Sequence, residues 1–117
     1  MLQPQARLAA VLGGRERALV CEELVLRARL DLDSGRDREA ALQVLVGLDA
    51  ALAELQGDPA AAPLGERLDE LRAHREAIAH AAQEALAGPL SASQRQAVER
   101  TLQRIEAALR ARAVMNA

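Results

Sequence analysis

No phenylalanine, tryptophan or tyrosine occurs in the sequence, and no lysine. Without aromatic rings the interior has to be filled by Leu, Val, Ile and Ala, side chains that mostly favour helix, so helix-on-helix packing is expected. The missing rings also remove the platforms on which single-stranded nucleic acids stack. All fifteen basic residues are arginine; with the abundant alanine this reads as high-GC codon usage rather than a chemical choice. A net charge of −2 offers no positive field to draw the chain to nucleic acid or an anionic membrane. The single cysteine, Cys21, excludes an intramolecular disulfide. The apolar run in "MLQPQARLAAVLGGRER" is too short for a signal peptide or a membrane span. A soluble cytoplasmic protein without cofactor or metal is the expectation.

What is present is 117 residues, half of them apolar, enough for one helical domain with one modest core. Gln5 to Leu12 reads as a short helix after Pro4, ended by Gly13-Gly14. A second helix over about 15–32 has two apolar sides: Leu19, Leu26 and Leu30 on one, Ala18, Cys21, Leu24, Val25, Ala28 and Leu32 on the other. A third over about 37–56 has a main face of Ala41, Val44, Leu45, Leu48, Leu52 and Leu55 and a lesser one of Leu42, Val46 and Ala53. "GDPAAAPLGE" (57–66) reads as the surface loop between two hairpins, 15–56 and 64–113. The fourth helix carries one stripe, Leu64, Leu68, Leu71, Ile78, Ala82, Ala85 and Leu86, and stops at Gly88-Pro89. Ser93 and Gln96 fit a capping box for a fifth helix with Val98, Leu102, Ile105 and Leu109 inward, and residues 114–117 are expected to fray. The fold class is all-α, four principal helices in two antiparallel hairpins.

"DLDSGRD" (31–37) spaces carboxylates around a glycine. An EF-hand loop needs glycine at its sixth position and glutamate at its twelfth; counted from Asp31, glycine comes fifth and Leu42 stands twelfth. The stretch is therefore a turn, with Gly35 in a permissive conformation and Ser34 or Asp37 capping the next helix. Within "ARLDLDSGRDREAALQVLVGL", small Ala28, turn Gly35, Ala40, and then Val44, Gly47 and Leu48 resemble one tetratricopeptide-repeat hairpin over about 24–55. That resemblance implies a tight antiparallel pair. Arg27 and Asp31 stand where the repeat has bulky apolar residues, and no second copy follows to build a concave surface. The whole chain also resembles small all-helical proteins of high-GC bacteria, which implies no activity.

His74 and His80 lie six residues apart and point about 120° from one another on a regular helix, so they do not chelate one metal. Glu70 to His74 and Glu76 to His80 are spaced i, i+4, whereas ferritin-like diiron sites use i, i+3. A small enzyme or metal protein using His74 with Glu70 or Glu84 is the alternative reading. Cys21 sits among Leu24, Val25 and Ala28 as an inert thiol, and "VLGGRER" lacks the signature of a phosphate loop. Arg95, Arg100, Arg104, Arg110 and Arg112 scatter around the polar half of the last helix instead of forming one ridge, which leaves an arginine-dependent nucleic-acid accessory as a third reading.

The leading expectation is a non-enzymatic interaction or regulatory protein. It would dock apolar helix faces on a protein partner or on itself as a homodimer, through Leu24, Ala28, Leu42, Val46 and Leu48. Leu48→Asp is then expected to disrupt association or folding, read by light scattering and circular dichroism.

Overall fold

A computed structural model describes residues 19–116; the expected helix at 5–12 lies outside them. Four helices follow in order: α1 (Val20–Asp33), α2 (Asp37–Gln56), α3 (Gly65–Ala87) and α4 (Ala92–Asn116). A short 3-10 helix, Pro59–Leu64, joins α2 to α3 within the stretch expected as a surface loop. Its Ala61 and Leu64 are buried, which pins the crossing between hairpins to the core. Among the described residues there is no strand, and no helix is long and apolar enough to cross a membrane.

The turn at 31–37 closes the first hairpin by satisfying carbonyls that the end of α1 leaves open. Gly35, at φ +80°, occupies the left-handed region. Its N–H donates to the Leu32 carbonyl (3.1 Å), and that of Arg36 donates to the Asp31 carbonyl (2.8 Å). This pair of bonds is the Schellman arrangement, and glycine suits it because a Cβ is disfavoured at positive φ. The Arg36 guanidinium also meets the Asp31 carboxylate at 2.9 Å. No side chain caps α2: its N-cap is Arg36, and Asp37 lies in the first turn, where its negative charge suits the helix dipole. The expected cap from Ser34 or Asp37 is not formed.

The helix α4 begins with a cap two residues earlier than the spacing of Ser93 and Gln96 indicates. Ser91 Oγ accepts the Gln94 N–H at 3.2 Å, and Gln94 Oε1 accepts the Ser91 N–H at 2.9 Å. That reciprocal pair starts α4 at Ala92. At the other end α4 is helical through Val114 and Met115.

α2 packs against α1, α3 and α4, whereas α1 and α3 do not meet. Its inner side explains this. Ala40, Ala41, Val44, Gly47, Leu48, Ala51 and Leu55 are all buried, and four of these seven carry a methyl group or no side chain at all, so neighbouring backbones approach closely. Leu24 and Val25 of α1 lie directly over Gly47. The core then continues through Leu68, Leu71 and Ile78 of α3 and through Val98, Leu102, Ile105 and Ala108 of α4. Leu86, expected on the inner stripe of α3, points outward and is 63% exposed.

Leu48 is fully buried, so Leu48→Asp acts on folding, with an expected loss of more than about 4 kcal/mol because a charge enters an aliphatic interior. At Gly47 an added Cβ would meet its nearest atom, Val25 Cγ2, at 3.5 Å, an ordinary contact. Gly47→Ala is expected to stabilise the protein by about 0.5–1 kcal/mol through helix propensity, read as a rise in the denaturation midpoint.

Candidate interaction face

The five residues expected to form a docking face divide between interior and surface. Ala28 and Leu48 are completely buried and serve the core of their own chain. Leu24 is half-buried against Gly47 at the α1/α2 seam. Leu42 is half-buried, and Val46, one turn further along α2, is 53% exposed. Leu42 and Leu86 line the same shallow groove between α2 and α3, with Arg38, Glu39 and Ala85. A second depression adjoins it, sharing Arg38 and Glu39 and extending to Gly35, Pro89 and Leu90. The surface that results is an apolar strip, Leu42, Val46 and Leu86, beside charges of both signs.

Those charges are fixed in place by the fold. Arg38 Nε donates to the Ala85 carbonyl at 2.7 Å, putting a cation on the open carbonyls at the C-terminal end of α3, where the dipole favours it. Further along, Arg75 meets Asp49 through two bonds, 2.8 and 2.9 Å, bridging α3 to α2. Both partners are about half exposed, so the pair positions the rim more than it stabilises the fold.

The start of α1 shows how open backbone groups are satisfied elsewhere. Leu19 has no oxygen with which to cap a helix, so the four open N–H groups find other acceptors. Glu22 Oε1 takes the N–H of Leu19 at 2.8 Å, and the Leu19 carbonyl takes that of Glu22 at 3.1 Å. The N–H groups of Val20 and Cys21 both donate to Glu54 of α2, each at 2.8 Å. Burial alone would raise the Glu54 carboxyl; the Cys21 and Val20 N–H groups, the Cys21 thiol and Arg112 outweigh it and hold it below its ordinary value. Burial first, and then Glu54, push the Cys21 thiol up to about 12. A fully buried thiol in that state is not a nucleophile at neutral pH.

The residues of the alternative reading do not converge. His74 Nδ1 lies 3.1 Å from Oγ1 of Thr101, a buried polar residue of α4 that the sequence pattern did not single out. Glu70 faces Arg104 at 3.5 Å, and Glu84 and His80 are exposed on α3. Among the described residues, no group of three or more His, Cys, Asp or Glu is placed to hold a metal ion. Three C-terminal arginines are matched within the chain: Arg95 with Asp37 at 3.2 Å, Arg104 with Glu70, and Arg112 with Asp58 at 2.7 Å. Comparison with known protein families, with curated proteins and with solved structures gives no match to this chain.

Glu54→Gln keeps the shape and removes the charge that caps α1, and a loss of about 1–2 kcal/mol is expected at neutral pH. The folded-state pKa of Glu54 is lowered from an ordinary 4.5, so its stabilisation is full above that value and disappears as pH falls through the folded one. Denaturation of both proteins between pH 7 and pH 3 should therefore show a gap that closes on acidification. A gap independent of pH would contradict the charged cap.

Proposed function

We propose that the protein is a non-enzymatic helical interaction or regulatory module that pairs with a second copy of itself through the outward strip of α2 and α3. The observation that carries this reading is that Leu42 and Leu86 line one groove on the outside, with Val46 one turn beyond Leu42 along α2, and that Val46 and Leu86 are more than half exposed. Single exposed aliphatic residues are normal, but a strip across two helices beside a groove is the usual form of a docking surface. The rim favours a second copy over a strongly charged partner. Arg38 and Glu39 supply both signs side by side at the groove, so a two-fold arrangement can set the cation of one copy opposite the anion of the other.

The other two readings gain less support. His74 is engaged by Thr101, and the C-terminal arginines are largely engaged by carboxylates, so neither presents free functional groups arranged around a common point.

Val46→Asp tests the pairing without entering the core. Circular dichroism should remain that of the parent, while sedimentation should change from dimer to monomer, with a dissociation constant raised at least about tenfold for the loss of one central apolar contact. A parent protein that is monomeric at all accessible concentrations, or a variant that pairs as well as the parent, would overturn the assignment.

A further inference from the structure

The fold leaves one broad side without cover, and α2 runs along its middle. Gly47 and Glu54 of α2 face α1, the first lying under Leu24 and Val25, the second bonded to the N–H groups of Val20 and Cys21. Arg38 and Asp49 face α3, where they meet the Ala85 carbonyl and Arg75. At about 100° per residue the two pairs lie on nearly opposite sides of α2, so α1, α2 and α3 stand side by side as a layer. Val44 and Leu48, both buried, fall on the third side, where α4 closes the layer. Val46 falls on the fourth, midway between α1 and α3, in one line with the exposed Glu39 and Ala53. The molecule is 18 Å thick in its shortest dimension, which suits two layers of helices with axes about 8–10 Å apart and leaves no room for a third.

Three helices side by side, about 30 Å long and with axes about 9 Å apart, present about 800 Å², the area that each partner of a stable dimer buries. A second copy of the same layer supplies a face of matching size and flatness. Its direction follows from charge. Glu39 is exposed and pairs with no other described residue, and Arg38, whose Nε and Nη2 hold the Ala85 and Leu86 carbonyls, keeps Nη1 without a partner among the described residues. The two side chains stand about 100° apart around α2, Arg38 toward α3 and Glu39 outward. Rotation about an axis along α2 keeps every residue at its own height and exchanges left for right, so Arg38 of each copy comes beside Glu39 of the other. An axis across α2 at Val46 reverses the helix and sets these charges about 22 Å apart, far beyond the screening length of about 8 Å.

We infer that two copies stack layer on layer, with α2 running parallel to α2 of the other copy and Val46 on the two-fold axis. This rests on the pairing proposed above and adds to it the extent, the direction and the centre of the contact. Val46 and Ala53, on the seam, each meet their own counterpart. Leu26, on the side of α1 turned away from α2, stays outside the contact and exposed.

Single added thiols test it, because Cys21 is completely buried and leaves each new cysteine as the accessible one. The full-length variants Val46→Cys, Ala53→Cys and Leu26→Cys are sedimented in reductant beside the parent and then oxidised by air with a copper catalyst. A disulfide forms only where the two Cα atoms come within about 4.4–6.8 Å. Val46→Cys and Ala53→Cys should each give a covalent dimer at least about tenfold faster than Leu26→Cys, whose thiols meet only by collision. Should Val46→Cys weaken the pairing, Ala53→Cys supplies the same readout. A parent that is dimeric in sedimentation, with Val46→Cys and Ala53→Cys linking no faster than Leu26→Cys, overturns the stacking and leaves the pairing of copies in place. Ala53→Cys that links to Glu39→Cys in a mixture but not to itself overturns the parallel direction. A monomeric parent removes the pairing, and the stacking with it.

Discussion

Close packing of α2 against every other helix is the constraint on which the rest of the structure depends. A chain with no aromatic side chain cannot fill a wide interior, so its helices have to approach closely, and approach is limited by the side chains between them. Ala40, Ala41, Gly47 and Ala51 keep that limit small along the whole of α2. With α2 at the centre, α1 and α3 are held apart on either side and α4 closes the arrangement against both α1 and α2. The outward sides of α1 and α2 follow directly, since a helix buried on its inner side by such small residues leaves its other apolar residues with nothing to pack on.

The charged residues complete this arrangement from outside the core. Arg29 of α1 reaches α4, meeting Glu106 through two bonds (3.0 and 2.8 Å) and Glu99 at 3.2 Å. The hydrogen bonds of Glu106, offset in part by burial, raise the affinity of the guanidinium for its proton, and the group is charged at every pH at which the protein folds. Glu54 begins α1 from α2, Arg38 ends α3 from α2, and Arg112 of α4 meets Asp58 between α2 and the 3-10 helix with both side chains largely buried. Helix ends that lack caps of their own are thus finished by residues distant in sequence, and each finishing bond also fixes the register of two helices. Charges committed in this way hold the helices in register, and Leu26, Leu30, Val46 and Leu86 stand among other charged residues on the outer surface.

Much of the fold was legible in the sequence because it rests on local signals. Gly35, Gly57 and Gly88-Pro89 stand where helices stop, and α2 runs over the residues its periodicity indicates. The cap of α4 is ambiguous in the sequence because "SASQRQ" contains the same Ser-x-x-Gln spacing twice, at 91–94 and 93–96, and the fold uses the first. The docking face was legible only in part. Periodicity shows that α1 and α2 each have two apolar sides, yet it does not show which side meets a neighbour, so Leu48 and Ala28 were grouped with Val46 although they belong to opposite environments. Glu54, Arg38 and the pairing of Thr101 with His74 left no local trace, because each joins residues more than 25 positions apart and exists only once the helices are in register.

If one aliphatic core centred on α2 holds all four helices, Cys21, at the far end of that core and completely buried, must become accessible only when the helices themselves melt. Urea unfolding followed in parallel by far-ultraviolet circular dichroism and by trapping of the Cys21 thiol measures this directly. The two transitions should coincide in midpoint and steepness. A thiol that reacts at urea concentrations where the helical signal is intact would show that the end of the bundle opens by itself, and that α2 does not unite the structure.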